Sequence, residues 1–184
     1  EDKKDQAFKL DKGNKFLNFE NRISDKIESF FKKLAQNPQS DNLSDDAACI
    51  ELKNDEKLVV SKDSIAQNVH FSEVDGDKIA AKLLLSNLSD MAAMGARPRH
   101  FTLSLALPSI DIDWLQAFSG GMRTLADTHG CELIGGDTTR GPLNICITVM
   151  GQVPETLALR RDTAQVGDDL YVSGRLGGAR LGLW

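Results

Sequence analysis

Nothing in this 184-residue sequence approaches the roughly 20 consecutive apolar residues that a membrane-spanning helix needs, so no membrane partner is expected. Glu1 to Asp5 is charged and no apolar stretch follows it, which reads as the absence of a secretory signal and points to a cytoplasmic protein. Cysteine is sparse: Cys49, Cys131 and Cys146 are widely spaced within apolar runs and read as reduced core thiols, not as a disulfide framework. Positive charge is in deficit, with 22 Lys and Arg against 27 Asp and Glu. The resulting net charge of −5 argues against a nucleic-acid footprint. A Walker-type Gly-Lys-Ser/Thr loop and a Ser–His nucleophile pair are both missing, which turns attention from those two chemistries. An acidic balance still permits a phosphorylated ligand, because carboxylates reach phosphate through Mg²⁺.

What the sequence does contain is a stretch from Leu133 to Pro142, Leu-Ile-Gly-Gly-Asp-Thr-Thr-Arg-Gly-Pro. An apolar strand end runs into two glycines, a carboxylate, two hydroxyls and a guanidinium. The glycines permit close backbone approach or positive φ. Asp137 offers a hard ligand for a cation and Arg140 a fork for phosphate. The same residues also suit a polar hairpin turn with a solvated acid.

Residues 1–20, rich in Lys and Asp, read as a flexible N-terminal arm. Asn21 to Gln36 has the spacing of an amphipathic helix, with Ile23, Ile27, Phe30, Phe31 and Leu34 on one face. Two short strands are expected at Ala47–Leu52 and Lys57–Ser61, and Ser64 to Phe71 is expected to be extended. The strongest helical pattern starts at Asp75 or Asp77, carries Ile79, Leu83, Leu84, Leu88 and Met91, and stops at Gly95 and Pro98. His100 to Leu107 reads as a strand. Asp111 or Asp113 caps a second helix bearing Trp114, Leu115, Phe118, Met122 and Leu125, which Gly130 ends. Glu132–Gly135 and Leu143–Val153 are expected to pair as strands of a long-loop hairpin. Strands and helices mix without strict βαβ alternation, which predicts an α+β fold. Residues 21–154 read as one domain. Residues 155–184 read as a linker, a strand at Asp169–Ser173 and a helix from Ala179, the start of a truncated second domain.

Asp45, Asp46, Asp63, Asp90 and Asp137 each lie at or near the end of an apolar element. Element ends of one layer converge on one edge, so these acids are candidates to meet around a cation that offsets their repulsion. Taken one by one, each is equally readable as a helix cap or a solvated turn, Asp90 least so because polar positions are few on its helix.

Four blocks together resemble the thiamine-monophosphate kinase family, within the aminoimidazole-ribonucleotide-synthetase-like superfamily. They are Ser61-Lys62-Asp63-Ser64, Val69-His70-Phe71, Lys82 through Pro98 with Asn87-Leu88-Ser89-Asp90-Met91-Ala92-Ala93-Met94-Gly95-Ala96, and Ile134 through Pro142. The resemblance covers roughly Ile23 to Leu183. It implies a mixed or antiparallel sheet with helices packed on one face, like the N-terminal domain of the PurM fold, serving ATP and Mg²⁺ binding and dimerisation. It implies an ATP- and Mg²⁺-dependent kinase that converts thiamine monophosphate to the diphosphate, as a homodimer joined through its N-terminal sheets. By position, Asp46, Asp63, Asp90 and Asp137 match the family's metal-binding acids and Ser61 a metal-binding hydroxyl. Gly136 with Asp137, and Arg161, match ATP contacts, and His70 a substrate contact. The missing second half implies that this fragment alone is inactive.

The sequence departs from the family pattern at Ser44, Lys62 and Asn68, where a glycine, a hydroxyl residue and a glycine are usual. Protonated Lys62 cannot ligate Mg²⁺ but reaches a phosphate, and Asn68 tolerates a left-handed backbone. Two other readings remain at this point: a kinase or synthetase of the same superfamily with a different acceptor, and a non-catalytic nucleotide-binding dimerisation module.

Overall fold

The computed structural model describes residues 27, 29–35, 47–72, 75–172 and 174–182. Alternating burial builds its sheet. In β4 (Asn144–Pro154), Ile145, Ile147, Val149, Gly151 and Val153 are buried, and in β2 (Arg97–Leu107) so are Phe101, Leu103, Leu105 and Leu107. This period of two places all of these on one face. β1 (Glu56–Ala66) and β3 (Glu132–Arg140) are the outer strands, giving the order β1-β4-β2-β3. The apolar face lies against two helices, α1 (Gly76–Ala93) and α2 (Ile112–His129). The fold is therefore α+β, a mixed sheet with its helices on one side.

The helices begin and end on readable signals. Asp111 caps α2, its Oδ1 accepting from the Trp114 N–H at 3.0 Å, and Gly130 stops it in the left-handed conformation at φ 59°. Asp75 stands at the N-cap of α1 without a capping bond, and its carboxylate takes Lys78 instead at 2.6 Å. The helices cross where glycine replaces bulk. A Cβ on Gly76 would meet the Trp114 carbonyl at 2.5 Å, and one on Gly121 would meet Asp77 Cα at 2.8 Å. Around that crossing Trp114 stacks on Phe118 at 5.0 Å, and Phe31 meets Phe118 edge-on at 6.3 Å.

Several expectations need correction. β3 and β4 do not form a hairpin: β3 pairs parallel to β2, and β4 sits antiparallel between β1 and β2. The reason is α2, whose crossover returns the chain beside β2 in the same direction. β3 runs on to Arg140, so most of the Leu133–Pro142 stretch is strand and not loop. Ala47–Leu52 is irregular and does not pair with β1, which remains an outer strand. β1 extends to Ala66, and residues 67–71 then fold into a turn closed by a Gln67–Phe71 bridge, with Asn68 at φ 64°. No strand forms at residues 169–172, whose Leu170, Tyr171 and Val172 are exposed, with no strand among the described residues paired against them. The expected final helix is one turn, α3 (Gly178–Leu181). Of the expected core thiols, Cys131 is buried, Cys146 half-buried and Cys49 exposed. In the expected helix from Asn21, residues 27 and 29–31 are helical; its start and residues 1–20 lie outside the described residues.

Candidate cation and phosphate site

The polar chemistry concentrates where β1 passes α1. The two elements run antiparallel, and residues two apart on a strand share a face as residues four apart share one on a helix. Ser61 and Asp63 therefore face α1 together, and Lys82, Ser86 and Asp90 line up along α1. The Ser61 hydroxyl donates to Asp90 Oδ2 at 2.6 Å, and the Ser86 hydroxyl donates to Asp63 Oδ2 at 2.8 Å. Each element contributes one hydroxyl and one acid, paired crosswise. Each carboxylate has one oxygen held by a hydroxyl, and neither acid has a salt bridge among the described residues. Farther along, the Lys82 ammonium donates to the His70 carbonyl, and His70 Nδ1 accepts from the Ala66 N–H at 3.1 Å. From Asp90 to Lys82 is eight helical residues, about 12 Å.

This donor set fits a hard cation. Mg²⁺ takes one or two carboxylates and completes its shell with water and phosphate oxygens. Among the described residues no three His, Cys, Asp or Glu side chains gather closely enough to hold a metal by themselves.

The remaining sequence candidates lie elsewhere. Asp45 and Asp46, with Ser44, are outside the described residues. Asp137 stands on β3, opposite Ser104, and the same row crosses Cys146 and Ser64. It is thus three strand spacings from β1, about 14 Å, in a row that faces away from the helices. A bulge puts it there. The β2–β3 register passes from Phe101–Leu133 to Thr102–Gly135, skipping Ile134. Without that extra residue Asp137 would stand opposite Leu105, on the helix-covered face. Gly136 serves the same pairing: a Cβ there would lie 1.9 Å from the Leu103 carbonyl oxygen. Its glycine requirement comes from the neighbouring strand.

Arg161 is exposed on the segment after β4. That segment is anchored at the end of α1, where the Leu159 N–H donates to the Met94 carbonyl at 3.0 Å, four residues past Asp90. Arg160 is engaged by Asp162 through two bonds of 2.9 and 2.7 Å. Beside the His70 turn a cavity of about 250 Å³ opens, lined by Phe71, Leu107, Trp114 and Leu143 among others. At the opposite end of the sheet, a polar cavity of about 270 Å³ is bordered by Glu56, Arg99, His100 and Glu132. Sequence reasoning missed Ser86 and that second cavity; a lone serine on an exposed helical face carries no signal of its partner.

Comparison with known proteins agrees with this architecture. Residues 44–153 match the family described as AIR synthase related protein, N-terminal domain. The chain belongs to that family. Within it, the chain is similar to thiamine-monophosphate kinases. It is 42% identical to the Salmonella typhimurium enzyme over 142 residues, 77% of this chain and 44% of that protein. The crystal structure of the Stenotrophomonas maltophilia K279a enzyme superposes with a TM-score of 0.71 at 52% identity, over 77% of this chain and 45% of the other. A structure described as AaThiL complexed with AMPPCP and TMP gives a TM-score of 0.66 at 30% identity, over 76% and 45% respectively. The chain thus spans about half the length of the relatives it matches. Among the described residues no helix is long and apolar enough to cross a membrane.

Proposed function

We propose that the protein containing this chain is a thiamine-monophosphate kinase, transferring phosphate from ATP to thiamine monophosphate with Mg²⁺, in the cytoplasm. The observation that carries the reading is the crosswise pairing of Ser61 with Asp90 and of Asp63 with Ser86, on motifs that resemble the family's metal-binding positions. The AMPPCP- and TMP-bound relative supports it from a second side.

On this reading Asp63 and Asp90 hold the cation, with Ser61 beside them and Asp46 as a further ligand. When bound, Mg²⁺ supplies charge that screens the repulsion between donor and acceptor phosphates. Arg161, on the segment docked at the end of α1, reaches the nucleotide phosphates. The acceptor is a phosphate monoester, largely ionised near neutral pH, so positioning replaces a strong general base. His70 contacts the substrate: with Nδ1 accepting a backbone hydrogen bond, the neutral ring carries its proton on Nε2 and offers it outward. The cavity beside that turn gives apolar walls to a flat heteroaromatic ring.

Asp137 with Gly136 belongs on this reading to the nucleotide as well, but at a position separate from the β1–α1 seam. Its row lies on the uncovered sheet face, where Leu58 and Val60 are also exposed. That face is the proposed contact of a homodimer, which places Asp137 at or near the interface between copies.

The test is Mg·ATP-dependent formation of thiamine diphosphate by the full-length protein, with Asp90→Asn and Asp137→Asn as controls. Turnover lost in both variants supports the reading. Unchanged turnover in both removes the site assignment. ATP binding without turnover in the unmodified protein would favour a nucleotide-binding module instead.

A further inference from the structure

We propose that Ser86 is a positioning residue of the cation site, its hydroxyl occupying one carboxylate oxygen of Asp63 and reserving the other for the metal. The inference rests on the proposed cation site and goes one residue beyond it, since Ser86 lies inside the Lys82–Pro98 block but none of the site roles assigned by the resemblance falls on it.

The argument starts from the geometry of the seam. A carboxylate on a strand is free to rotate about χ2, so which oxygen faces a ligand is undetermined unless something fixes it. Ser86 Oγ at 2.8 Å from Asp63 Oδ2 supplies that restraint from a helix, across 23 residues of chain. A hydroxyl donor to an ionised acid is a charge-assisted bond, stronger than its neutral counterpart. Ser86 also stands one helical turn from Asp90, whose own Oδ2 is held by Ser61. The two restraints are equivalent and opposite in direction, hydroxyl on helix to acid on strand and the reverse. A helix cap or a solvated serine would show no such pairing. Ser86 is itself exposed, so packing does not explain it.

Groups that hydrogen-bond a metal ligand without touching the metal alter affinity by about tenfold or more when removed. The experiment uses the full-length protein and reads Mn²⁺ binding by calorimetry in the absence of nucleotide, beside the Mg²⁺ half-saturation of turnover. Ser86→Ala is expected to weaken Mn²⁺ binding by about tenfold and to raise the Mg²⁺ half-saturation by a similar factor. The KM for thiamine monophosphate at saturating Mg²⁺ and the melting temperature should stay unchanged. Ser86→Thr, which keeps the hydroxyl, should restore both metal readouts. Wild-type Mn²⁺ affinity in Ser86→Ala overturns the proposal, as does equal weakening in Ser86→Thr. Failure of the underlying site would look different: Mn²⁺ binding would then be indifferent to Asp63→Asn and Asp90→Asn as well.

Discussion

The hydroxyl of Ser61 lies 2.6 Å from Oδ2 of Asp90, joining a strand to a helix across 29 residues of chain. The bond leaves Asp90 with one oxygen engaged inside the protein and one open. Asp90→Asn keeps the shape of the side chain and removes its charge, so in the full-length protein it should lower Mg²⁺-dependent turnover by about a hundredfold, roughly 3 kcal/mol. Ser61→Ala should be milder and cost folding no more than about 1.5 kcal/mol, because the half-buried carboxylate regains water. Steady-state kinetics at several Mg²⁺ concentrations, with thermal melts alongside, checks both. A large loss of stability in Asp90→Asn would mean that the acid is structural.

Gly135 and Gly136 make different demands although they are adjacent. A Cβ on Gly136 would fall 1.9 Å from the Leu103 carbonyl oxygen, whereas one on Gly135 would sit 3.9 Å from Thr102 Cγ2. Gly136→Ala should therefore destabilise by about 3 kcal/mol or more by prying β3 from β2, and Gly135→Ala should cost less than about 1 kcal/mol. Urea denaturation of the two variants measures the contrast. Equal and small losses would return Gly136 to a role in ligand approach alone.

The helices and their ends were legible because their signals are local. The apolar spacing from Ile79 to Met91, the Asp111 cap and the Gly130 stop all act within a few residues. The sheet order was not, because which strand neighbours β4 depends on the crossover through α2 and not on any residue of β4. Asp137 shows the same limit within a site. Its motif is recognisable, but the face it occupies depends on a bulge at Ile134, and Leu133-Ile134-Gly135 reads as an uninterrupted strand. Asp90 stood out within a recognisable block, while the bond from Ser86 to Asp63 is a tertiary fact that no spacing announces.

Cys131 and Cys49 should behave oppositely toward alkylation. Burial pushes the Cys131 thiol up to about 12, helped by the neighbouring Glu132 charge. The thiolate is the reactive form, so Cys131 should resist iodoacetamide at pH 8 while exposed Cys49 reacts. Mass spectrometry of briefly labelled native protein should find the label on Cys49 first, and on Cys131 only after denaturation. Early labelling of Cys131 would show that the end of α2 opens readily.

His100 gives the fold a pH dependence of known sign. Its side chain is buried beside the polar cavity, and its Nδ1 has no hydrogen-bond partner among the described residues. Burial pushes its pKa below the ordinary 6.5, Glu132 pulls it upward, and Arg99 lowers it further. The unfolded chain then binds the proton more readily than the folded one. Above 6.5 both states are neutral and stability is unaffected; as pH falls from 6.5 toward the lowered folded value, stability is lost. His100→Gln should therefore lose less unfolding free energy than the wild type between pH 7.5 and 5.5. Parallel denaturation curves at both pH values decide it, and identical losses would show that His100 protonates freely in the fold.

Lys82 and His70 provide the last prediction, because they separate substrate binding from metal binding. The Lys82 ammonium holds the backbone carbonyl of His70, while the His70 ring is turned by the Ala66 N–H. Two anchors thus fix one turn, and the turn is further shaped by Asn68 at φ 64°. Loss of the ammonium frees the carbonyl to rotate, which misdirects the imidazole proposed to offer Nε2–H to the substrate. The seam side chains of α1, Ser86 and Asp90, lie one and two helical turns farther along, where they keep their own bonds to Asp63 and Ser61 of β1. Lys82→Met in the full-length protein should therefore raise the KM for thiamine monophosphate by about tenfold, equivalent to about 1.4 kcal/mol of binding. Mn²⁺ affinity should stay at the wild-type level, and Lys82→Arg should recover part of the loss by donating to the same carbonyl. If Lys82→Met instead weakened Mn²⁺ and left KM unchanged, the lysine would act on the cation end of the seam and the division along α1 would be wrong.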